Sequence, residues 1–168
     1  YASEQTPLRT MTWHELGRQV RLMATQLRSL GIKPGDRVVS YMPNIPETVV
    51  AFLASAAVGE VWSSSAPEFG VTTVIDRFAQ IEPKLLFVCD GYRFNGKAFS
   101  REHEVAALVE RLPTLTHVVC VPVLETGRAD AIVDKGLLWD SLMTGPDVAR
   151  EAFQYEYVPY DHPLWVLF

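Results

Sequence analysis

Cysteine is scarce in this chain, two in 168 residues, and both stand inside apolar runs, Cys89 in LLFVCD and Cys120 in HVVCVP. Such placement predicts reduced, buried thiols and argues against a disulfide framework or a cysteine metal site. Basic residues are not in excess: 15 Lys and Arg against 20 Asp and Glu leave a net charge of -5. That balance offers no electrostatic footprint for nucleic acid, and no block of like charge marks a tail or a contact with an anionic membrane. No apolar run approaches the roughly 18 residues of a membrane span, and no basic segment followed by an apolar one opens the chain. A cytoplasmic protein acting on small molecules is the expectation. The histidines, His14, His103, His117 and His162, are scattered, with no pair at the spacing a metal site needs. G-x-G-x-x-G is missing, which counts against a dehydrogenase, and Ser63, Ser64 and Ser65 lack the G-x-S-x-G elbow that would expose a nucleophile.

What is present reads as foldable material throughout. Hydrophobic residues make up 48% and charged residues 21%, the balance of one globular domain or part of a larger one. The chain opens without Met, at YASEQTP, and closes on DHPLWVLF, where a proline turn leads into an apolar run from Leu164 to Phe168. Such a run reads as a buried strand that should hand the chain on, so the expectation is an internal segment of a longer protein.

Between those ends a rhythm repeats. Thr12 and Glu15 form a capping box, and Leu16, Val20, Met23, Leu27 and Leu30 follow at helical spacing until Gly31 and Pro34 stop the run. RVVSYM is a strand candidate. TVVAFLASAAVG, entered through Pro46, is a helix apolar nearly all round. EVWSSSA is a short strand, VTTVIDRFAQI a helix, KLLFVCD a strand, residues 101–112 a helix capped by Ser100, and HVVCV a strand. Continuous apolar strands separated by amphipathic helices predict an α/β fold, a layered, mostly parallel sheet with helices on both faces. Residues 122–160 break the rhythm: ETGRADAIVDKG is polar and turn-rich, KGLLWDSLM reads as a short helix, and FQYEYVPYDHP as an extended aromatic stretch over the surface.

The most distinctive local motif is GYRFNGKA, Gly91 to Ala98, which fits G-x-x-x-x-G-K after a strand. A Walker loop needs Ser or Thr after the lysine and a helix starting there; Ala98 supplies no oxygen. A surface turn, or a phosphate contact of another kind, is the expectation. The residues by themselves lead to an α/β segment with loops at strand ends and no complete catalytic set.

Taken together, TMTWHELGRQVRLMATQLRSLGIKPGDRVVSYMPNIPETVVAFLASAAVGEVW, with its T-W-x-E-L start, G-I-K-P-G-D-R-V turn and Y-M-P-N-I-P-E helix entry, resembles the N-terminal segment of the adenylate-forming acyl-CoA synthetases. WSSSAPEFGVTTVIDRFAQIEPKLLFVCDGYRFNGK is most similar to their acetoacetate-activating branch; acetate- and propionate-activating relatives usually carry F-G-G-F-S where this chain has Ala66-Pro67-Glu68-Phe69-Gly70. The resemblance implies that residues 1–168 are the first part of a large N-terminal AMP-forming ligase domain, the rest of that domain and a mobile C-terminal domain belonging to the longer polypeptide. It implies ATP, Mg²⁺ and CoA as cofactors, acetoacetate as substrate, and ligation through an acetoacetyl-adenylate. Acetate, propionate or butyrate are alternative acids, and a catalytically silent scaffold domain an alternative role. No catalytic or metal-binding residue is carried over, because the phosphate loop, acyl pocket and catalytic lysine of the family have no counterpart in this stretch. The segment alone is therefore expected to be inactive. The loop Arg93, Phe94, Asn95, Gly96, Lys97 matches the one that meets the CoA phosphates in acetate-activating relatives. Lys97 keeps a basic side chain there, Phe94 stands where arginine is usual, and Arg93 is a second basic candidate.

Overall fold

A computed structural model describes residues 1–4, 6–124 and 136–168. The first helix, α1 (Trp13–Ser29), begins where the capping pattern puts it, with Thr12 Oγ1 accepting a hydrogen bond from Glu15 N at 3.1 Å. Only half of the reciprocal box forms. The Glu15 carboxylate turns instead to Arg18 and Gln19. Gly31, at φ 79°, supplies the left-handed residue that ends the helix.

Five strands follow in one parallel sheet: β1 (Arg37–Tyr41), β2 (Val61–Ser65), β3 (Leu85–Cys89), β6 (His117–Val121) and β7 (Leu137–Leu138). Their order is β2-β1-β3-β6-β7. Helices α2 (Pro46–Ala57), α3 (Val71–Ala79) and α4 (Glu102–Arg111) are the crossovers. A four-residue helix, α5 (Trp139–Leu142), follows β7. Alternation along the strands divides the core into two layers. Val38, Leu85, Phe87 and Val119 pack with Met23, Leu27, Val50 and Ala54 of α1 and α2. Val39, Tyr41, Leu86, Val88 and Val118 pack with Val74, Phe78, Val105 and Leu108 of α3 and α4. The expected α/β architecture, helices on both faces included, is what forms.

Cys89 belongs to the first layer and Cys120 to the second; both are free, and burial pushes each thiol up to about 12. Glu60, just before β2, is also buried, and neither of its carboxyl oxygens nor the nearby Ser55 hydroxyl has a hydrogen-bond partner among the described residues.

Three expectations change. GYRFNGKA is not a simple turn: β4 (Gly91–Phe94) and β5 (Lys97–Ser100) pair antiparallel as a hairpin. Asn95 at φ 50° and Gly96 at φ 71° make its two-residue turn, the conformation an Asn-Gly pair favours because it matches strand twist. Helix α4 starts later than residue 101, since Arg101 N–H is already bonded to the Asp90 carbonyl at 2.9 Å. The run ending the chain forms one parallel bridge, Trp62 with Trp165, rather than a full strand. Trp62 N donates to Leu164 O at 3.0 Å, and Trp62 O accepts from Val166 N at 2.8 Å. With β2 the only strand it bridges among the described residues, and with Trp165 packed on Phe52 of α2, the run still leaves Leu164, Trp165, Leu167 and Phe168 exposed. The polar stretch 125–135 lies outside the described residues.

A candidate ligand site at the carboxyl end of the sheet

The chain passes from β1 to β2 on one side, then crosses back over β1 to reach β3. Strand order therefore reverses at β1, and in open parallel sheets ligands bind in the crevice beyond the carboxyl ends at such a point. Three segments emerge there: the β1–α2 connection at 42–45, the 66–70 loop after β2, and the β4–β5 hairpin after β3.

Arg93, Phe94, Asn95, Gly96 and Lys97 are brought together at the exposed tip of the hairpin. Phe94 pairs with Lys97 and Tyr92 with Phe99, so these four share a face. The Tyr92 and Phe99 rings stack with centroids 5.2 Å apart. Arg93 pairs with Ala98 and occupies the opposite face, lining a cleft of about 220 Å³ with Tyr1, Ser3 and Glu4 of the N-terminal segment. The two basic residues thus do not converge from one face.

An anion already sits on the turn. The Glu4 carboxylate accepts from Asn95 N at 2.6 Å and Gly96 N at 2.8 Å. These backbone bonds, Gly96 first and then Asn95, hold its carboxyl below the usual carboxylate range. A turn whose successive N–H groups receive a carboxylate has the donor geometry that a phosphate oxygen uses.

Three further residues shape the site and were not singled out by sequence reasoning. Asp90, buried at the end of β3, accepts from Val123 N at 2.7 Å and Leu124 N at 2.9 Å, tying the segment after β6 to the hairpin base. The Tyr41 hydroxyl lies 2.8 Å from Pro67 O and 3.0 Å from Phe69 O, and burial pushes it up to about 12, so it remains a neutral donor. Arg101 Nε donates to the same Pro67 carbonyl at 2.6 Å. Only Asp90, an acid ending an apolar strand, carried a local signal; the other contacts span loops distant in sequence.

Two of the remaining candidates make contacts that hold the end of the described chain against β2 and the turn before it. His162 Nε2 lies 2.8 Å from Gly59 O. Ser63 Oγ donates to Val166 O at 2.9 Å. Among the described residues no group of three or more His, Cys, Asp or Glu is placed to hold a metal ion, and no helix is long and apolar enough to cross a membrane. A Walker loop is ruled out at GYRFNGKA because a strand, not a helix, follows Lys97.

Comparison with known proteins gives the site its context. The chain is 52% identical to acetoacetyl-CoA synthetase from Streptomyces lividans, whose solved structure it matches with a TM-score of 0.88 over 95% of its own length and 24% of the other's. It is 42% identical over 159 residues to acetoacetyl-coenzyme A synthetase of Rhizobium meliloti (strain 1021) and 40% identical over 161 residues to acetoacetyl-CoA synthetase of Mus musculus. In both cases the match takes in 94% of this chain and 24% of the relative, so the chain spans about a quarter of the proteins it resembles. The family described as AMP-binding enzyme matches residues 3–152. With the family pattern running through nearly all of its sheet, its hairpin and its 66–70 loop, the chain belongs to the AMP-binding enzymes.

Proposed function

We propose that this chain is the opening part of the adenylate-forming domain of an acid–thiol ligase that joins acetoacetate to CoA. The carrying observation is its agreement in sequence and backbone with acetoacetyl-CoA synthetase over nearly its whole length. In the proposed reaction the acetoacetate carboxylate attacks the α-phosphorus of ATP, releasing pyrophosphate and forming acetoacetyl-adenylate. The CoA thiol then displaces AMP and loses its proton, leaving the thioester. Magnesium supplies charge neutralisation at the phosphates when bound.

This chain's own contribution lies on the CoA side. The hairpin fits a phosphate, since its turn donors already hold a carboxylate and Lys97 stands exposed beside them. Lys97 supplies the positive charge, while Asn95 and Gly96 supply backbone donors to a phosphate that takes the place of the Glu4 carboxylate. Phe94, exposed beside Lys97, lends apolar surface rather than charge. Arg93, on the other face, acts at longer range through its charge.

The test uses full-length enzyme. Among acetoacetate, acetate, propionate and butyrate, acetoacetate is expected to drive pyrophosphate release most efficiently; preference for another acid overturns the substrate assignment. Lys97→Ala is expected to raise KM for CoA and leave ATP–pyrophosphate exchange intact. An unchanged CoA dependence removes the hairpin from the site.

A further inference from the structure

The hairpin is poorly supported by its own pairing. Among the described residues its two strands pair in a ladder only with each other, and an isolated two-stranded hairpin is marginal in water. Something beyond the β4–β5 ladder must fix its direction if its tip is to meet a ligand reproducibly.

Arg101 has that geometry. Its guanidinium reaches two separate segments at once: Nε donates to Pro67 O at 2.6 Å in the 66–70 loop, and Nη2 donates to Tyr92 Oη at 2.9 Å on the hairpin. The guanidinium carbon also lies 4.8 Å from the Tyr92 ring centroid. Nη1 is held by Ser100 O at 2.8 Å and by Glu104 Oε1 at 3.2 Å, which aims the planar group. The side chain is only 16% exposed, so water competes weakly for these donors. Pro67 O in turn faces the Tyr41 hydroxyl at 2.8 Å, so the fork is referenced to the end of β1, inside the sheet.

We infer that Arg101 is a positioning residue for the CoA half-reaction: it locks the hairpin bearing Lys97 to the 66–70 loop. The inference rests on the proposed CoA role of the hairpin. A planar fork with donors in several fixed directions is required, which a lysine ammonium cannot reproduce. On the proposed role of the hairpin its tip serves the thiol substrate, so the adenylation half-reaction should not depend on the lock. Misplacement of a binding group by about 1 Å can cost on the order of a hundredfold in rate, so loss of the lock should be visible in kinetics.

The experiment compares Arg101→Lys, Arg101→Met, Tyr92→Phe and Lys97→Ala in full-length enzyme, each with ATP–pyrophosphate exchange, kcat and KM for CoA, and a thermal melt. The expected result is a rise of about tenfold or more in KM for CoA for both Arg101 variants, with exchange within about twofold of the parent. Tyr92→Phe, which removes one hydroxyl and keeps the ring, should give a smaller rise. Combined with Arg101→Met it should add little, because the two residues act through one contact. If the Arg101 variants fail to fold, Tyr92→Phe decides alone, and an unchanged KM for CoA overturns the inference. If Lys97→Ala raises KM for CoA and neither Arg101 nor Tyr92 variants do, the lock is wrong and the hairpin's role stands. If none of the four moves it, the hairpin's role itself has failed. Equal losses in exchange and thioester formation would make Arg101 a general structural residue and overturn the inference.

Discussion

Glu4 reaches Gly96 across 92 positions of sequence, its carboxylate accepting the turn N–H at 2.8 Å while its other oxygen takes Asn95 N. The N-terminal segment is thereby fastened to the tip of the hairpin by an ionised group.

Glu4→Ala should therefore speed hydrogen exchange at the Asn95 and Gly96 amides, with little change at core amides such as Phe87. Acid should likewise lower the protection of these two amides, relative to their intrinsic exchange rates at each pH, in the parent protein. Because the folded-state carboxyl is held below its ordinary value, the contact is fully present above that value and is lost as pH falls through the lowered one. Exchange resolved by residue checks both outcomes; unchanged protection in Glu4→Ala would dismiss the fastening.

Glu60 carries the opposite sign. Burial, with Asp36 adding to it and Ser55 and Arg28 offsetting part, raises its carboxyl from 4.5 to about 8. The folded protein thus binds this proton more tightly than the unfolded chain does. Stability contributed by the protonated group is complete below about pH 4.5 and is lost as pH rises to about 8. Glu60→Gln should flatten that slope, raise Tm at pH 8.5 and stabilise the fold there by on the order of 3–5 kcal/mol. The difference from the parent should vanish near pH 4.5. Melts across that range decide it.

Gly91 is required by close approach, not by a positive φ. A Cβ there would overlap the Phe99 carbonyl and the Leu124 side chain. Gly91→Ala should open the hairpin at its base, where Gly91 pairs with Ser100. Loss of the Tyr92–Phe99 ring contact in near-ultraviolet circular dichroism, with far-ultraviolet helix signal retained, is the expected signature.

Phe87 sits fully buried on the central strand with its ring 6.2 Å from Trp62 and 6.0 Å from Trp139. Phe87→Ala should cost about 3–5 kcal/mol, measured by chemical denaturation. A cost under about 1 kcal/mol would mean that the layer between β3 and α5 is loosely packed.

Much of this architecture was legible in the residues. RVVSYM, KLLFVCD and HVVCV are continuous apolar runs because they are covered on both faces, and each is a parallel strand. The α1 start was readable because Thr12 caps a backbone N–H three residues away. The hairpin was visible as an unusual loop but not as paired strands, since Arg93, Phe94, Lys97 and Ala98 are all exposed and lack a period-2 pattern. Its Asn-Gly pair was the available signal. LWVLF carried a strand's composition yet forms one bridge, because pairing depends on neighbours that composition does not specify. The contacts of Arg101 with Pro67 and of Glu4 with Gly96 join positions 34 and 92 apart, and no local pattern encodes them.

The two cysteines turn the layered core into a two-channel reporter. Cys89 lies under α1 and α2, Cys120 under α3 and α4, and a thiol held near 12 is almost wholly unreactive until water reaches it. Alkylation of single-cysteine variants would then time the undocking of each helical layer separately. Equal rates would mean that the sheet releases both coverings in one event, and unequal rates would show which side of the molecule breathes first.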